Sequence, residues 1–78
     1  MRVLHLLRDP ADPKAAAVIG AEAAQGVDLA VLLLRPGAPP PISAPVYVLD
    51  GSAPEGATAV DWDGALDLMF QAHTLVTW

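Results

Sequence analysis

The sequence predicts an α/β fold: a small three-layer sandwich around a mainly parallel four- to five-stranded sheet, with one crossover helix replaced by a Pro-rich loop. Two segments, Arg2–Leu7 and residues 27–34, are almost continuous in Val and Leu, without regular alternation of apolar and polar residues. Strands of this kind are buried on both faces, as in parallel sheets. An Ala-rich helical segment lies between them, so the chain begins with a right-handed β-α-β unit.

The chain is expected to form a single domain over residues 1–78. A domain of this size buries only about 60% of the surface that its unfolded chain exposes, and its core seldom supplies more than about 3–5 kcal/mol. The sequence contains no cysteine, which excludes a disulfide, a Cys-ligated metal and a thiolate nucleophile. Association with other subunits is therefore the expected source of further stability.

The charge and hydropathy patterns exclude two classes of partner. Nine acidic residues oppose four basic ones, so the chain lacks the positive surface that nucleic-acid phosphates require. No apolar run approaches the roughly 18 residues that a membrane-spanning helix needs. We expect no direct nucleic acid or membrane partner. Nothing in the sequence indicates secretion, and a cytoplasmic location is expected.

The first helix and the segments after the second strand can be placed from their terminal residues. Asp12 is a good N-cap, Pro13 suits the first helical position, and Gly26 is the expected C-cap. Prolines exclude a helix from the second crossover, residues 35–45. A third strand, Val46–Leu49, and a short extended piece, residues 58–60, follow. Five strands with only two helices should leave part of one sheet face open, and we expect a partner subunit to cover it.

The final segment is predicted to be an amphipathic helix that leads directly into a β-strand. Asp61 is the expected N-cap, and residues 74–78 are β-branched and apolar, as in a strand. One helical stripe is expected to pack inward; it consists of Trp62, Ala65, Leu66, Met69, Phe70 and His73. The aromatic side chains Trp62, Phe70 and Trp78 are expected in the core, with an interface as the alternative for Trp78.

Several polar residues are candidates for a functional role. His5 is either a core histidine bonded to backbone or a group near a subunit interface or a carrier's active site. Arg8 and Asp9 follow the first strand, at the edge where open α/β sheets place ligands. They form either a ligand-binding edge or a surface ion pair, Arg8 with Asp9 or Asp12. His73 is expected to end the last helix, where a partly positive imidazole favours the negative end of the helix dipole.

No catalytic, cofactor or metal site is expected. His5 and His73 are far apart in sequence and lack the spacing of zinc ligands. Asp61 and Asp63 are explained as dipole partners in a first helical turn, not as an acid–base pair. No serine lies in a nucleophile-elbow motif, and no Gly-rich phosphate loop is present. The chain is not expected to be an enzyme by itself.

Three segments of the sequence are distinctive. Residues 4–10 contain Leu-His followed by Arg-Asp-Pro, and Val46–Leu49 reads Val-Tyr-Val-Leu. The tail runs from Val-Asp-Trp through His73 to Trp78. Together with residues 29–34, these segments resemble the DsrH/TusB family of DsrE-like sulfur-relay proteins. The family has Leu-His and Arg-Ser-Pro near its start, a Val-Tyr-Ala-Leu strand, and an ending with Ile-Asp-Tyr, a His and a Trp. The tail is the most specific of the matching segments.

The sequence also departs from the family. The chain is shorter, lacks the helical segment between the second and third strands, and has Ala65 where the family has Phe. Some members carry a Cys near the first helix, and this chain has none. The resemblance implies a non-catalytic subunit of a persulfide-transfer complex, linked to tRNA 2-thiouridine synthesis or sulfur oxidation. Its implied partners are cysteine-bearing DsrE/TusD-like and DsrF/TusC-like subunits.

Two other functions remain open from the sequence. The chain is alternatively a self-associating small α/β domain, a homo-oligomer of unrelated role. It is alternatively a small-ligand binding protein that uses the edge formed by residues 8–13. A cysteine-bearing DsrE-type gene beside this one would favour the relay function over both alternatives.

Overall fold

The computed structural model describes residues 2–9, 11–35, 44–49 and 57–78. In chain order the elements are β1 (Arg2–Leu7), α1 (Pro13–Ala24), β2 (Asp28–Leu33), β3 (Val46–Leu49), β4 (Thr58–Val60), α2 (Trp62–Gln71) and β5 (Thr74–Thr77). The predicted α/β class and the order of the helices and strands are confirmed. Most of the predicted Pro-rich crossover, residues 36–43, lies outside the described residues.

All five strands form one parallel sheet in the order β4-β3-β2-β1-β5. The path from β1 through α1 reaches β2 on one side, whereas α2 later carries the chain back past β1 to β5 on the other side. Leu4 is accordingly paired with Ala30 on β2 and with Leu75 on β5. The chain thus changes direction between the neighbouring strands β1 and β5, which is the topological switch point of the sheet. Open α/β sheets bind ligands at the carboxyl ends of the strands at such a point.

The two helices cover opposite faces of the sheet, because alternate residues of each strand belong to separate cores. On the α1 side, Ala15 and Ile19 of the helix are buried against side chains of the three central strands; these are Leu7, Leu29, Val31, Leu33, Val46 and Val48. On the α2 side, Ala65 is buried against a smaller set; its members are Leu4, Ala30, Leu32 and Leu49. This alternation is the period-2 geometry of strands.

The central strands are covered on both faces within the single chain. Five of the six residues of β2 are buried, and so are Val46, Val48 and Leu49 of β3. The predicted open face therefore does not lie over the described central strands. Large exposed apolar side chains are instead found mainly on α2 and on the edge strand β5.

The N-terminal end of α1 forms as predicted, whereas the C-cap is Gln25, one residue before the predicted Gly26. Asp12 accepts hydrogen bonds from the backbone amides of Lys14 and Ala15 at 2.9 and 3.3 Å. The helix ends at the C-cap Gln25 and is followed by Gly26 in a left-handed conformation, with φ +79°. The Gly26 amide donates to the carbonyl of Ala23, and the next amide donates to that of Glu22, both at 3.1 Å. This pair of bonds is a Schellman motif, which favours glycine at this position.

Gly20 in the interior of α1 weakens the helix without a packing reason. A Cβ placed on this glycine would meet no atom within 4 Å outside the local helix backbone. We therefore expect Gly20→Ala to raise the free energy of unfolding by about 0.5–1 kcal/mol, because glycine loses more backbone entropy on folding. Urea unfolding measures this, with Ala21→Gly as the opposite control. An unchanged or lower stability in Gly20→Ala would contradict the packing described for α1.

The orientation of α2 differs from the prediction. Asp61 caps the helix as expected, accepting from the Gly64 amide at 2.8 Å, but the exposed fractions of Trp62 and Phe70 are 63% and 85%. The prediction that both rings lie in the core is wrong. The apolar arc of α2 is wider than the strip of helix that contacts a flat sheet, and the structure turns the arc's smaller side inward around Ala65.

Candidate functional site

His5 lies at the centre of a polar cluster on the α1 side of the sheet. Its neighbours along β1, Leu4 and Leu6, face α2, whereas Val3 and Leu7 share the α1 side. The exposed fraction of His5 is 0%, and no other polar or charged side chain of the described residues is buried. A buried imidazole needs hydrogen-bond partners to offset the loss of water.

Two side chains supply those partners. Trp78 Nε1 lies 3.0 Å from His5 Nδ1, and His5 Nε2 lies 3.0 Å from Glu22 Oε2. The indole nitrogen can only donate, so Nδ1 must accept and the imidazole proton lies on Nε2, which donates to the carboxylate. His5 is thus a core histidine, but its partners are side chains and not the predicted backbone groups. We call His5, Glu22, Trp78 and Arg8 the His5 cluster.

Glu22 was not identified from the sequence, although a signal was present. It is the one acidic residue within α1 and follows the buried Ile19 by three positions, so both side chains lie on one helix face. The Schellman motif fixes its backbone through the bond from the Val27 amide to the Glu22 carbonyl. Its side chain is 28% exposed, so the carboxylate has one side in the protein and the other in water.

Trp78 is held by its backbone as well as by its ring. Its amide donates to the Leu6 carbonyl at 2.9 Å, and Arg8 Nε donates to the Trp78 carbonyl at 2.9 Å. The centroids of the His5 and Trp78 rings are 6.2 Å apart and their planes are inclined by 25°, so the two rings lie nearly side by side along the Nε1–Nδ1 hydrogen bond. The guanidinium of Arg8 thus binds the Trp78 backbone. The prediction that Arg8 pairs with Asp9 or Asp12 is wrong. Both aspartates accept backbone hydrogen bonds instead.

The prediction that His73 ends α2 is wrong. The helix stops at Gln71 and has Ala72 as its C-cap. The side chain of His73 is exposed, and its Nδ1 accepts from the Arg2 amide at 3.2 Å. Its own amide donates to the Arg2 carbonyl at 2.8 Å. The residue thus joins the beginning of β5 to the beginning of β1. Arg2 also forms an ion pair with Asp28 at 3.5 Å.

The His5 cluster lies on the α1 side of β1 and β5, the two strands of the switch point. A carboxylate that orients an imidazole is an arrangement found in general bases. Here the accepting nitrogen, His5 Nδ1, is occupied by the indole N–H, and no hydroxyl group contacts it among the described residues. The contacts connect β1, α1 and the end of β5. The role of the cluster is therefore structural, because its contacts hold β5 in the sheet.

A second feature is a continuous row of large side chains on the outside of α2. Trp62, Leu66 and Phe70 occur at intervals of four residues and are 63%, 46% and 85% exposed. Leu75 on β5 is 49% exposed, and its pairing with Leu4 places it on the α2 side of the sheet. We call these four residues the α2 apolar surface. Exposed apolar patches of this kind mark interaction sites.

Within residues 2–9, 11–35, 44–49 and 57–78, no group of three or more His, Asp or Glu side chains is placed to hold a metal ion. In the same part of the chain, no helix has the length and hydrophobicity needed to cross a membrane. Comparisons with protein-family models, curated proteins and solved structures found no match. The His5 cluster and the α2 apolar surface are thus the features of the fold that bear on function.

Proposed function

We propose that this chain is a non-catalytic interaction subunit of a larger cytoplasmic assembly, and that it docks through the α2 apolar surface. The observation that carries the proposal is the exposure of two aromatic rings, Trp62 and Phe70, on one helix. The imidazole of the one buried histidine, His5, is fully bonded within the fold and is not available to a substrate.

The energetics favour an interface at this surface. Aromatic side chains bury about 150–250 Å² each in cores and interfaces, and each Å² removed from water contributes about 25 cal/mol. Covering Trp62 and Phe70 therefore gains several kcal/mol, from which the entropy cost of association is subtracted. Aromatic residues are also the side chains most often found at the energetic centre of interfaces.

We propose further that the assembly is a persulfide relay of the DsrE-like kind, linked to tRNA thiolation. The motif resemblance supports this, and so does the contact of His5 and Arg8 with Trp78, because these residues come from the two ends of the resembling sequence. A chain without cysteine cannot carry persulfide sulfur. In this proposal a cysteine-bearing DsrE/TusD-like or DsrF/TusC-like neighbour carries it, and this chain completes the oligomer and positions that neighbour.

Native co-purification of the tagged chain from its own cells, followed by mass spectrometry, tests the proposal. We expect cysteine-bearing proteins of the DsrE type to be recovered in a fixed ratio to the chain. Recovery of a different partner in fixed ratio would support the interaction role and contradict the sulfur relay. Recovery of the chain alone would contradict both parts, and a homo-oligomer in that sample would establish self-association instead.

A further inference from the structure

The charge of the chain is divided unevenly along its length. All four Lys and Arg residues lie within residues 1–35, together with four of the nine carboxylates. Residues 36–78 contain the other five carboxylates and no cation. The net charge of −5 therefore arises wholly from the second part of the chain, which includes α2 and β5.

The acidic residues of α2 border its apolar surface. Asp63 lies three positions before Leu66, and Asp67 lies three positions before Phe70; residues at this interval are neighbours on a helix. Both carboxylates are exposed. They are four residues apart, as the apolar side chains are, so they form a second row beside the apolar one. The row with its acidic border spans about 12 Å along the axis, at 1.5 Å per residue.

Three of the four cations of the chain have other contacts or lie on the other face of the sheet. Arg2 is paired with Asp28, Arg8 donates to Trp78, and Lys14 lies in the first turn of α1, on the opposite face of the sheet. A second copy that packed its own α2 against this one would bring four carboxylates together. Like charges about 4 Å apart repel by about 1 kcal/mol even in bulk water, and by more when they are partly desolvated.

We propose that the occupant of the α2 apolar surface is an amphipathic helix of a partner protein, with Lys or Arg residues beside its apolar side. This inference rests on the proposed function and specifies the chemistry of the partner. Large side chains at intervals of four residues form the ridge that enters the groove between rows of a second helix. Basic residues beside that groove would pair with Asp63 and Asp67. An anionic lipid surface is disfavoured by the same carboxylates.

Two synthetic helical peptides of about 18 residues, roughly five turns, provide the test. They share one apolar side of Leu and Ala, and they carry either Lys or Glu beside it. We expect the Lys peptide to bind the purified chain at least about tenfold more tightly than the Glu peptide. Binding is measured by the change in tryptophan fluorescence, to which the exposed Trp62 contributes. Raising the salt from about 0.01 M to about 1 M, which shortens the screening length from about 30 to about 3 Å, should reduce this preference.

Variants connect the peptide result to the named residues. Asp63→Asn with Asp67→Asn should lower the affinity for the Lys peptide and leave that for the Glu peptide unchanged or higher, with circular dichroism confirming the fold. Equal binding of both peptides, binding of neither, or self-association of the free chain through α2 would each overturn the inference. These outcomes differ from failure of the proposed function, which is the absence of any partner in native co-purification.

Discussion

Trp78→Ala should lower the free energy of unfolding by about 2–4 kcal/mol, somewhat less than the usual cost of removing a fully buried ring, because Trp78 is partly buried. The substitution removes the ring that packs against the α1-side core and the N–H that His5 accepts. Because a domain of this size has about 3–5 kcal/mol of stability from its core, much of the protein should then be unfolded at room temperature. Urea unfolding followed by circular dichroism measures the loss.

Two further variants separate the ring of Trp78 from its hydrogen bond. Trp78→Phe retains a ring and removes the donor, which leaves His5 Nδ1 unsatisfied and should cost about 1–3 kcal/mol. Phe70→Ala removes a ring that is 85% exposed, so a change within about 0.5 kcal/mol is expected. Equal losses in Trp78→Ala and Phe70→Ala would show that the burial described for these two rings is wrong.

His5→Ala is the second substitution with a large expected effect, a loss of about 2–4 kcal/mol. It opens a cavity in a fully buried position and leaves the indole N–H of Trp78 without its acceptor. Loss of the hydrogen bond to Glu22 costs less, because its partly exposed carboxylate can bind water instead. His5→Phe, which keeps a ring of similar size, should recover part of the loss but not the hydrogen bonds.

A double-mutant cycle shows whether His5 and Trp78 act together. Groups in direct contact typically couple by about 0.5–3 kcal/mol, so His5→Ala combined with Trp78→Phe should cost less than the sum of the two single variants. Additive losses would contradict the hydrogen bond. Nitrogen NMR of the imidazole provides an independent check, because the described geometry requires the proton on Nε2 and none on Nδ1.

The strands and helix ends of this protein could be predicted from the sequence because their signals are local. The apolar run of β1 and the capping residues Asp12 and Asp61 act within one element or one turn, and the structure confirms them. The partners of His5 could not be predicted in this way. Glu22 and Trp78 are 17 and 73 residues away in sequence, and only the order of strands brings them to one side of β1.

The orientation of α2 illustrates a second limit of the sequence. Hydrophobic periodicity located the helix, but its apolar residues cover more of the circumference than one sheet contact can bury. Ala65 and the exposed Phe70 both fit the predicted stripe, so the pattern could not determine which of them faces the sheet. The apolar residues left outside form the surface on which the proposed function depends.

Docking through α2 is tested by comparing two single substitutions in the native co-purification. Phe70→Ser alters the α2 apolar surface, and Val18→Ser alters an exposed apolar residue of α1, on the opposite face. Both variants should remain folded. We predict that Val18→Ser recovers the partner as well as the original chain does, whereas Phe70→Ser recovers at least about tenfold less, as expected for an aromatic residue at the centre of an interface. Equal recovery of the partner by both variants would contradict docking through α2.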